Sequence, residues 1–344
     1  MDLKEKHIPT KGKVEFLKDI KNFPEEEKGS DITVNETHMS WVFLTEKHVY
    51  KMKKPVKYSF LDFSTLEKRK YNCEVEVRLN RRLAPDVYEG VIPMTLNSQG
   101  QLQLSGHGVT VEWLVKMKRL PQKSMLEYKI QNNTLQKCEV FPVAQLLASF
   151  YLKQEKEHLT PEKFLNNLIG DIDNNLKELE NPLFQVKPSL LIHLKNTLTA
   201  YIDNNSQVLH KRVGKVVEAH GDLRPEHIYV NQSPKVIDCL EFNRDLRILD
   251  PAEELSYLSL ECDMLNASWT GHIVLQEYQS IAHDYFPSHL VDFYKSKRAV
   301  LRSLLCFRHI TEPNDYHREK WKHKGIRYLE VASEYADKVS KVLQ

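Results

Sequence analysis

Up to about Pro121 this chain shows short β-prone runs broken by turn residues; beyond it, apolar residues recur at helical spacing. The two periods belong to strands and amphipathic helices respectively, so the chain reads as two lobes of different make. Strands are expected at 41–44 and 49–52, around the turn Thr45-Glu46-Lys47. More follow at 91–96, 101–104 and 109–117, with Asn97-Ser98-Gln99-Gly100 as a hairpin turn. One helix interrupts them from Ser64 to about Leu83, with Ser64 as N-cap and Glu67 completing a capping box, before Leu83-Ala84-Pro85 stops it. Helices are expected at 135–156, 161–179, 188–210, 251–266, 270–283, 289–309 and 316–342. Between the third and fourth lies a β island at 216–219, 228–230 and 236–237, its last two runs joined by Asn231-Gln232-Ser233-Pro234. The expectation is an α+β protein with a small sheet lobe at 1–120, holding one long helix, and a larger, mainly helical lobe at 121–344.

Composition narrows the function classes. The 344 residues carry 49 basic and 47 acidic side chains, a formal charge of +2, so no global field draws the chain to nucleic acid or an acidic membrane. No apolar run approaches the roughly 18 residues of a spanning helix, and the polar start MDLKEKHIPTKGKVEF has no signal-peptide core. The five cysteines, Cys73, Cys138, Cys239, Cys262 and Cys306, make no C-x-x-C pair, which points to reduced thiols and a cytoplasmic setting.

The β island holds the chemistry. It reads His220-Gly221-Asp222-Leu223-Arg224-Pro225-Glu226-His227-Ile228, then Val236-Ile237-Asp238-Cys239-Leu240-Glu241-Phe242. One acid sits in a tight loop beside a strand, and a second follows the next strand of a hairpin. One such carboxylate can orient or deprotonate a hydroxyl while the other holds a hard cation. A lone Asp in a turn more often only caps it; the whole arrangement is harder to explain that way.

The first segment resembles the catalytic loop H-R-D-L-K-P-E-N-I of the protein-kinase superfamily, and Gly221 is the form found in aminoglycoside phosphotransferases. Residues 237–243 are similar to the metal-binding segment of those enzymes. Within that family the chain resembles an uncharacterised bacterial branch through Ser40-Trp41-Val42-Phe43-Leu44, Leu61-Asp62-Phe63-Ser64-Thr65-Leu66-Glu67 and Leu79-Asn80-Arg81-Arg82-Leu83-Ala84-Pro85. The likeness covers nearly the whole chain. It implies a protein-kinase-like two-lobed fold and an ATP-dependent phosphotransferase acting on a hydroxyl of a small molecule, with ATP and Mg²⁺ (or Mn²⁺) as cofactors. The alternative is a nucleotide-binding pseudokinase serving as sensor or scaffold.

Position by position, the resemblance makes Asp222 the acid that orients the acceptor hydroxyl, and Arg224 the basic group near the transferred phosphate. Asp238 matches the metal-binding acid, and His220 a brace for the loop. His227 departs from the family's Asn, whose amide oxygen meets a second Mg²⁺; imidazole suits Mn²⁺ or Zn²⁺ better. Two assignments are open: His227 ligates the metal, or Glu241 does so while His227 bonds the loop, the second being preferred. Val49-Tyr50-Lys51-Met52-Lys53 resembles the strand whose lysine pairs the phosphates. Alternation puts Lys51 and Lys53 on one face, and the register of related enzymes favours Lys51. Its glutamate partner matches Glu76, with Glu74 in reserve. Backbone near Met117, Lys118 and Arg119 would receive the adenine. Asp250 and Glu254 match acids that support the loop, and equally the N-terminus of a helix behind Pro251.

Glycine is scarce: 11 residues, about 3% against about 7% on average. Gly106-His107-Gly108, which follows the early strands, reads as a turn; where a phosphate loop belongs, residues 34–40 contain no glycine, so the hydroxyls of Thr37 and Ser40 are the candidates there. That argues against a protein-kinase lid. Residues 291–327 hold ten Lys/Arg against Asp292, Glu312, Asp315 and Glu319. This is either a set of solvated helix faces or a basic wall for an anionic or neutral acceptor, and it counts against a polycationic aminoglycoside. The expected partner is a small hydroxylated substrate, with no nucleic acid and no membrane. No G-x-x-x-x-G-K-[ST] occurs, so a P-loop ATPase partner would be a separate chain.

Overall fold

The computed structural model describes residues 8–27, 29, 31–58, 60–311 and 317–342. Glu312, Asp315 and Tyr316, used above, lie outside the described residues, as do the first seven positions and Gln344. The chain forms two compact units, Met1–Tyr128 with His227–Leu246, and Lys129–Glu226 with Arg247–Gln344. Residues 227–246 thus fold with the N-terminal strands, not with the helices that flank them in sequence.

The first unit opens with α1 (Thr10–Leu17), then β1 (Thr33–Glu36), β2 (Ser40–Leu44) and β3 (His48–Lys53). After the short hairpin β4 (Lys57–Tyr58) and β5 (Leu61–Asp62) come α2 (Leu66–Asn80), β6 (Tyr88–Leu96), β7 (Leu102–Leu104) and β8 (Val109–Lys118). Among the described residues the main sheet has six strands in the order β1-β2-β3-β8-β6-β7, every pair antiparallel. β1 was not expected from the sequence. It is a largely exposed edge strand, so no apolar alternation marks it.

Strand alternation gives the sheet a core on each face. Tyr50 and Met52 of β3 join Phe43, Met94 and Leu114 under Val14, Leu17 and Phe23 of the N-terminal segment. On the other face Val115 and Met117 of β8 meet Cys73 and Val77 of α2, with Ile237 packed against them. The N-cap of α2 is Thr65, which accepts from the Lys68 N–H at 3.3 Å, and not Ser64. Ser64 instead donates its hydroxyl to Asp62, which takes it out of capping reach. The helix ends at Asn80, three residues before Leu83. Gly108 behaves as a turn residue: a Cβ there would lie 1.9 Å from the Leu96 carbonyl oxygen, so only glycine lets these backbones approach.

α3 (Leu126–Gln131) spans the boundary between the units. The second unit holds α4 (Lys137–Lys153), α5 (Pro161–Leu179), α6 (Pro188–Asn204) and α7 (Ser206–Val213). It continues with α8 (Pro251–Met264), α9 (Ser268–Ala282), α10 (Ser288–Ile310) and α11 (Arg318–Ser340). The helix expected at 188–210 breaks at Asn205, where the Asn204 and Asn205 amides donate to the Ala200 and Tyr201 carbonyls. Such side chains compete with the backbone for helical partners. α5 buries Phe164, Leu168, Ile172 and Leu176 at four-residue steps into the same core as Leu194 and Leu198 of α6. α8 is buried from Pro251 to Cys262. Among the described residues no helix is long and apolar enough to cross a membrane.

Candidate functional site

In the first unit, Lys51 and Lys53 project from β3 toward α2, one residue apart in alternation as expected. Both meet Glu76: Lys51 Nζ at 2.9 Å from Oε1 and Lys53 Nζ at 2.6 Å from Oε2. Glu76 shares the buried helix face of Cys73 and Asn80, at three- and four-residue spacing. Glu74 points outward and pairs with Lys70, so the reserve assignment falls away.

The segment after the hairpin Ile228–Tyr229/Lys235–Val236 closes the cluster. Asp238 Oδ1 lies 2.7 Å from Lys51 Nζ, and Glu241 accepts from Lys53 Nζ. The Asp238 N–H donates to the Tyr88 hydroxyl at 3.0 Å, and the Cys239 N–H to Asn80 Oδ1 at 2.9 Å. Asp238 itself sits at φ 61°, a left-handed conformation that Asp tolerates better than most residues and that concentrates at functional turns. His227 is buried, with Nε2 3.5 Å from Asp238 Oδ2.

Exposure separates the two lysines. The Lys53 side chain is wholly enclosed, whereas Lys51 is 15% exposed beside an Asp238 carboxylate that is 46% exposed. Only Lys51 stands where an incoming anion could meet it. Burial alone would pull both ammonium pKa values down. For Lys51 the carboxylates of Asp238 and Glu76 outweigh it, and for Lys53 those of Glu241 and Glu76, so both are held above the ordinary value. Burial likewise pushes Glu76 up, but Lys51 and Lys53 together hold it below the usual carboxylate range. Lys51 and Lys53 thus face Glu76, Asp238 and Glu241 together. The open end of the cluster is carboxylate with a buried imidazole beside it. That donor set fits a divalent cation.

The remaining first-unit candidates are placed as follows. The Thr37 hydroxyl donates to the Ser40 carbonyl and accepts from the Ser40 N–H, both at 3.0 Å, and so closes the β1–β2 turn; Ser40 is buried. Met117 is buried in β8. The Lys118 N–H donates to the Val87 carbonyl and the Arg119 N–H to the Lys47 carbonyl. A nucleobase at this segment would therefore meet those residues through their carbonyls. On the opposite face of the sheet, Glu25, His48 and Glu89 bring ligand-type atoms within 4.8 Å of one another. The Lys116 ammonium, 2.5 Å from Glu25 and 3.1 Å from Glu89, supplies positive charge to that group.

The second unit holds the loop 220–226. Gly221 has φ 89°, which an L side chain rarely adopts, and it turns the chain so that Asp222 follows directly. Glu254 of α8 accepts from the Gly221 N–H at 2.5 Å and the His220 N–H at 3.1 Å, while the Tyr151 hydroxyl donates to it at 2.6 Å. Burial raises the Glu254 pKa, and these donors offset only part of that. His220 is fully buried and its Nδ1 accepts from the Asp222 N–H at 3.3 Å, the bracing role expected of it. Asp250 caps α8 through the Ala252 N–H, as its helix N-terminal reading expects, and also binds Arg212 and Tyr294; the acid that meets the loop amides is Glu254. The Asp222 carboxylate receives Arg224 Nη2 at 2.9 Å and the Tyr257 hydroxyl at 3.2 Å. Arg224 also meets Glu226 at 2.5 Å.

Sequence reasoning missed Asn80, Tyr88 and Tyr257, and ranked Lys53 second without a role. Asn80 and Tyr257 could have been found as the residues one helical turn beyond Glu76 and Glu254; Tyr88 carries no local signal. The basic segment 291–327 divides: Arg308, Arg318, Lys320, Lys324 and Arg327 are exposed, as the solvated-face reading expects, and four others are not. Lys295, Lys297, Arg298 and Arg302 are buried and paired with Asp263, with Asp171 and Glu253, with Glu253, and with Glu261. These four are neither a solvated face nor a wall for an acceptor, because acids from α5 and α8 already pair with them.

No family model matches the chain. Uncharacterised proteins of Mycobacterium tuberculosis (strain H37Rv) and Mycobacterium bovis are each 28% identical over 277 residues, 79% of this chain and 54% of theirs. The chain thus spans about half the length of the curated relatives it matches. Among solved structures it is similar to the GDP complex of an aminoglycoside 2'-phosphotransferase, at TM-score 0.56 and 15% identity over 93% of this chain and 97% of that one. A choline/ethanolamine kinase family protein from Mesorhizobium loti gives 0.54 and 14% over 95% and 98%. A choline kinase from Streptococcus pneumoniae gives 0.53 and 14% over 94% and 99%. The fold is that of the aminoglycoside-phosphotransferase-like, protein-kinase-like proteins, and these structural neighbours are phosphotransferases.

Proposed function

We propose that the chain transfers the γ-phosphoryl group of ATP to a hydroxyl of a small molecule. The observation that carries this reading is Lys51 held between Glu76 and a half-exposed Asp238, at 2.9 and 2.7 Å. A phosphate-pairing lysine needs a fixed carboxylate behind it and a metal-binding carboxylate beside it. Glu76 fixes the direction of Lys51, and Lys51 turns to the nucleotide phosphates when they arrive. Asp238 would hold Mg²⁺ or Mn²⁺, which when bound neutralises charge on the phosphates. In the second unit Asp222, aimed by Tyr257 and Arg224, takes the proton of the acceptor hydroxyl as its oxygen bonds to phosphorus and the bond to the ADP oxygen breaks. Arg224 would stabilise charge on the transferred group. Backbone at Met117, Lys118 and Arg119 would receive the base, and the Thr37 turn would lie over the phosphates.

A nucleotide-binding protein without transfer is the second reading. It is favoured by Arg224 already closing on both Asp222 and Glu226. An ATP-consumption screen over pooled hydroxylated metabolites, with Mg²⁺ and Mn²⁺ in parallel, separates the two. Acceptor-dependent turnover is expected, and Asp222→Asn should lower kcat by about 10³-fold with nucleotide affinity nearly unchanged. Nucleotide binding without turnover would establish the second reading, and turnover indifferent to Asp222→Asn would remove Asp222 from the role given to it here.

A further inference from the structure

The turn that carries Asp238 is held by its backbone as well as by its carboxylate. Asp238 has φ 61°, outside the regions an L residue prefers, so surrounding contacts must keep it there. Two consecutive amides of this turn end on side chains from other elements. The Asp238 N–H donates to the Tyr88 hydroxyl at 3.0 Å, and the Cys239 N–H donates to Asn80 Oδ1 at 2.9 Å. Both acceptors are buried, Tyr88 at the start of β6 and Asn80 at the end of α2. Both amides lie past the paired residues of the hairpin Ile228–Tyr229/Lys235–Val236, where the side chains take over from the strand ladder.

Asn80 is itself held. Its Nδ2 donates to the Glu76 carbonyl at 2.9 Å, which assigns the amide orientation and points Oδ1 at Cys239. Glu76 is the residue whose carboxylate meets Lys51 and Lys53. One turn of α2 therefore holds the two lysines through Glu76 and the Asp238 turn through Asn80. Apolar packing follows the same path: Cys239 packs on Val75 and Leu79 of α2, and Ile237 packs on the core that contains Tyr88.

We infer that Tyr88 and Asn80 are positioning residues for the cation: they lock the left-handed turn at Asp238 and so aim its carboxylate. This rests on the phosphotransferase reading for the presence of a cation, and deepens it by naming what sets the direction of its ligand. Each residue acts through the backbone N–H it accepts and not by ligation. Disturbing the groups that orient a metal ligand costs about 10- to 100-fold in metal affinity.

The test uses the whole chain with Mn²⁺ as the probe, alone and with a methylene-bridged ATP analogue. Free Mn²⁺ is counted by electron paramagnetic resonance, and the binding scored is the part that Asp238→Asn removes. Tyr88→Phe should weaken it about tenfold and, in the metal-free chain, speed hydrogen exchange of the peptide spanning 236–242. Val14→Ala, in the core on the other face of the sheet, supplies a mild destabilisation away from the turn and should change neither readout. Asn80→Ser, which withdraws the acceptor from the Cys239 N–H, carries the same test if Tyr88→Phe does not fold. Unchanged Mn²⁺ affinity, unchanged exchange, an equal loss in Val14→Ala, or no Mn²⁺ binding by the native chain would each overturn the inference. Failure of both variants to fold would make the two residues structural and overturn it as well. The phosphotransferase reading fails separately. Acceptor-dependent turnover with Mn²⁺ affinity indifferent to Tyr88→Phe would sink the inference alone. Mn²⁺ binding that weakens in Tyr88→Phe, in a chain that binds nucleotide without turnover, would sink that reading alone.

Discussion

Each unit buries a network of lysines, arginines and carboxylates, and the two are finished differently. In the second unit Lys295, Lys297, Arg298 and Arg302 of α10, all buried, meet Asp171, Glu253, Glu261 and Asp263, of which Asp171 is exposed. Tyr328 and Tyr335 add hydroxyl donors to Glu261 and Asp263. In the first unit Lys51 and Lys53 meet Glu76, Asp238 and Glu241, and Asp238 is half-exposed. A network whose cations are all buried joins helices. One that ends on a half-exposed carboxylate with a buried imidazole beside it offers donors to a cation, and the left-handed backbone at Asp238 marks the same spot as the one held by its surroundings.

The comparison can be broken most forcefully at Glu253, which serves both Lys297 and Arg298 and is only 3% exposed. Glu253→Ala should destabilise the second unit by about 3–5 kcal/mol, since it leaves buried cations short of a partner. Chemical denaturation measures this, and a loss below about 1 kcal/mol would mean that the closed network is not what joins these helices. The open network should respond the other way. Lys51→Met leaves Glu76 with Lys53 and leaves Asp238 with access to water, so the stability change should be small. Its effect belongs to function. We expect kcat/KM for ATP to fall about 10²-fold, some 2.7 kcal/mol of lost stabilisation, read from initial rates once an acceptor is in hand. A large stability loss with intact ATP use would reverse the roles assigned to the two networks.

The same contrast explains what was legible beforehand. His220 to Ile228 and Ile237 to Asn243 stood out because loop chemistry is local, with each role depending on neighbours a few residues away. Glu76 was preferred to Glu74 only through the family match, and the fixed period of the helix face is what separates them in the structure. The union of Lys53 with Glu241 joins positions 188 residues apart, and no local pattern encodes it. The basic run on α10 was misread for the matching reason: its neutralising acids lie on α5 and α8, so counting charge within 291–327 saw only half of each pair. β1 and the break at Asn205 were missed because an exposed edge strand and two adjacent asparagines leave little trace in hydrophobic periodicity.

The finest test of how the second unit handles buried charge lies in two adjacent residues of α8. Burial pushes the Glu253 pKa up, but Arg298 and Lys297 more than offset it and hold it below its ordinary 4.5. Its contribution to stability is therefore present above pH 4.5 and is lost as pH falls through its folded value. Glu254 runs the opposite way. Burial holds it above 4.5 despite the Tyr151 hydroxyl and the loop amides of Gly221 and His220. The folded chain binds that proton more tightly than the unfolded chain does. Stability from this group is thus full below pH 4.5 and declines as pH rises through its folded value. Glu254→Gln removes the titration. It also places an amide NH₂ against one of the loop N–H donors, a fixed cost that does not vary with pH. The offset between variant and parent is thus uninformative, and the slope is the signal: stability of the variant relative to the parent should rise with pH just above 4.5. Parallel curves in that window would show that the carboxylate under the 220–226 loop is already ionised, held by the two loop amides as an anion rather than as a buried acid.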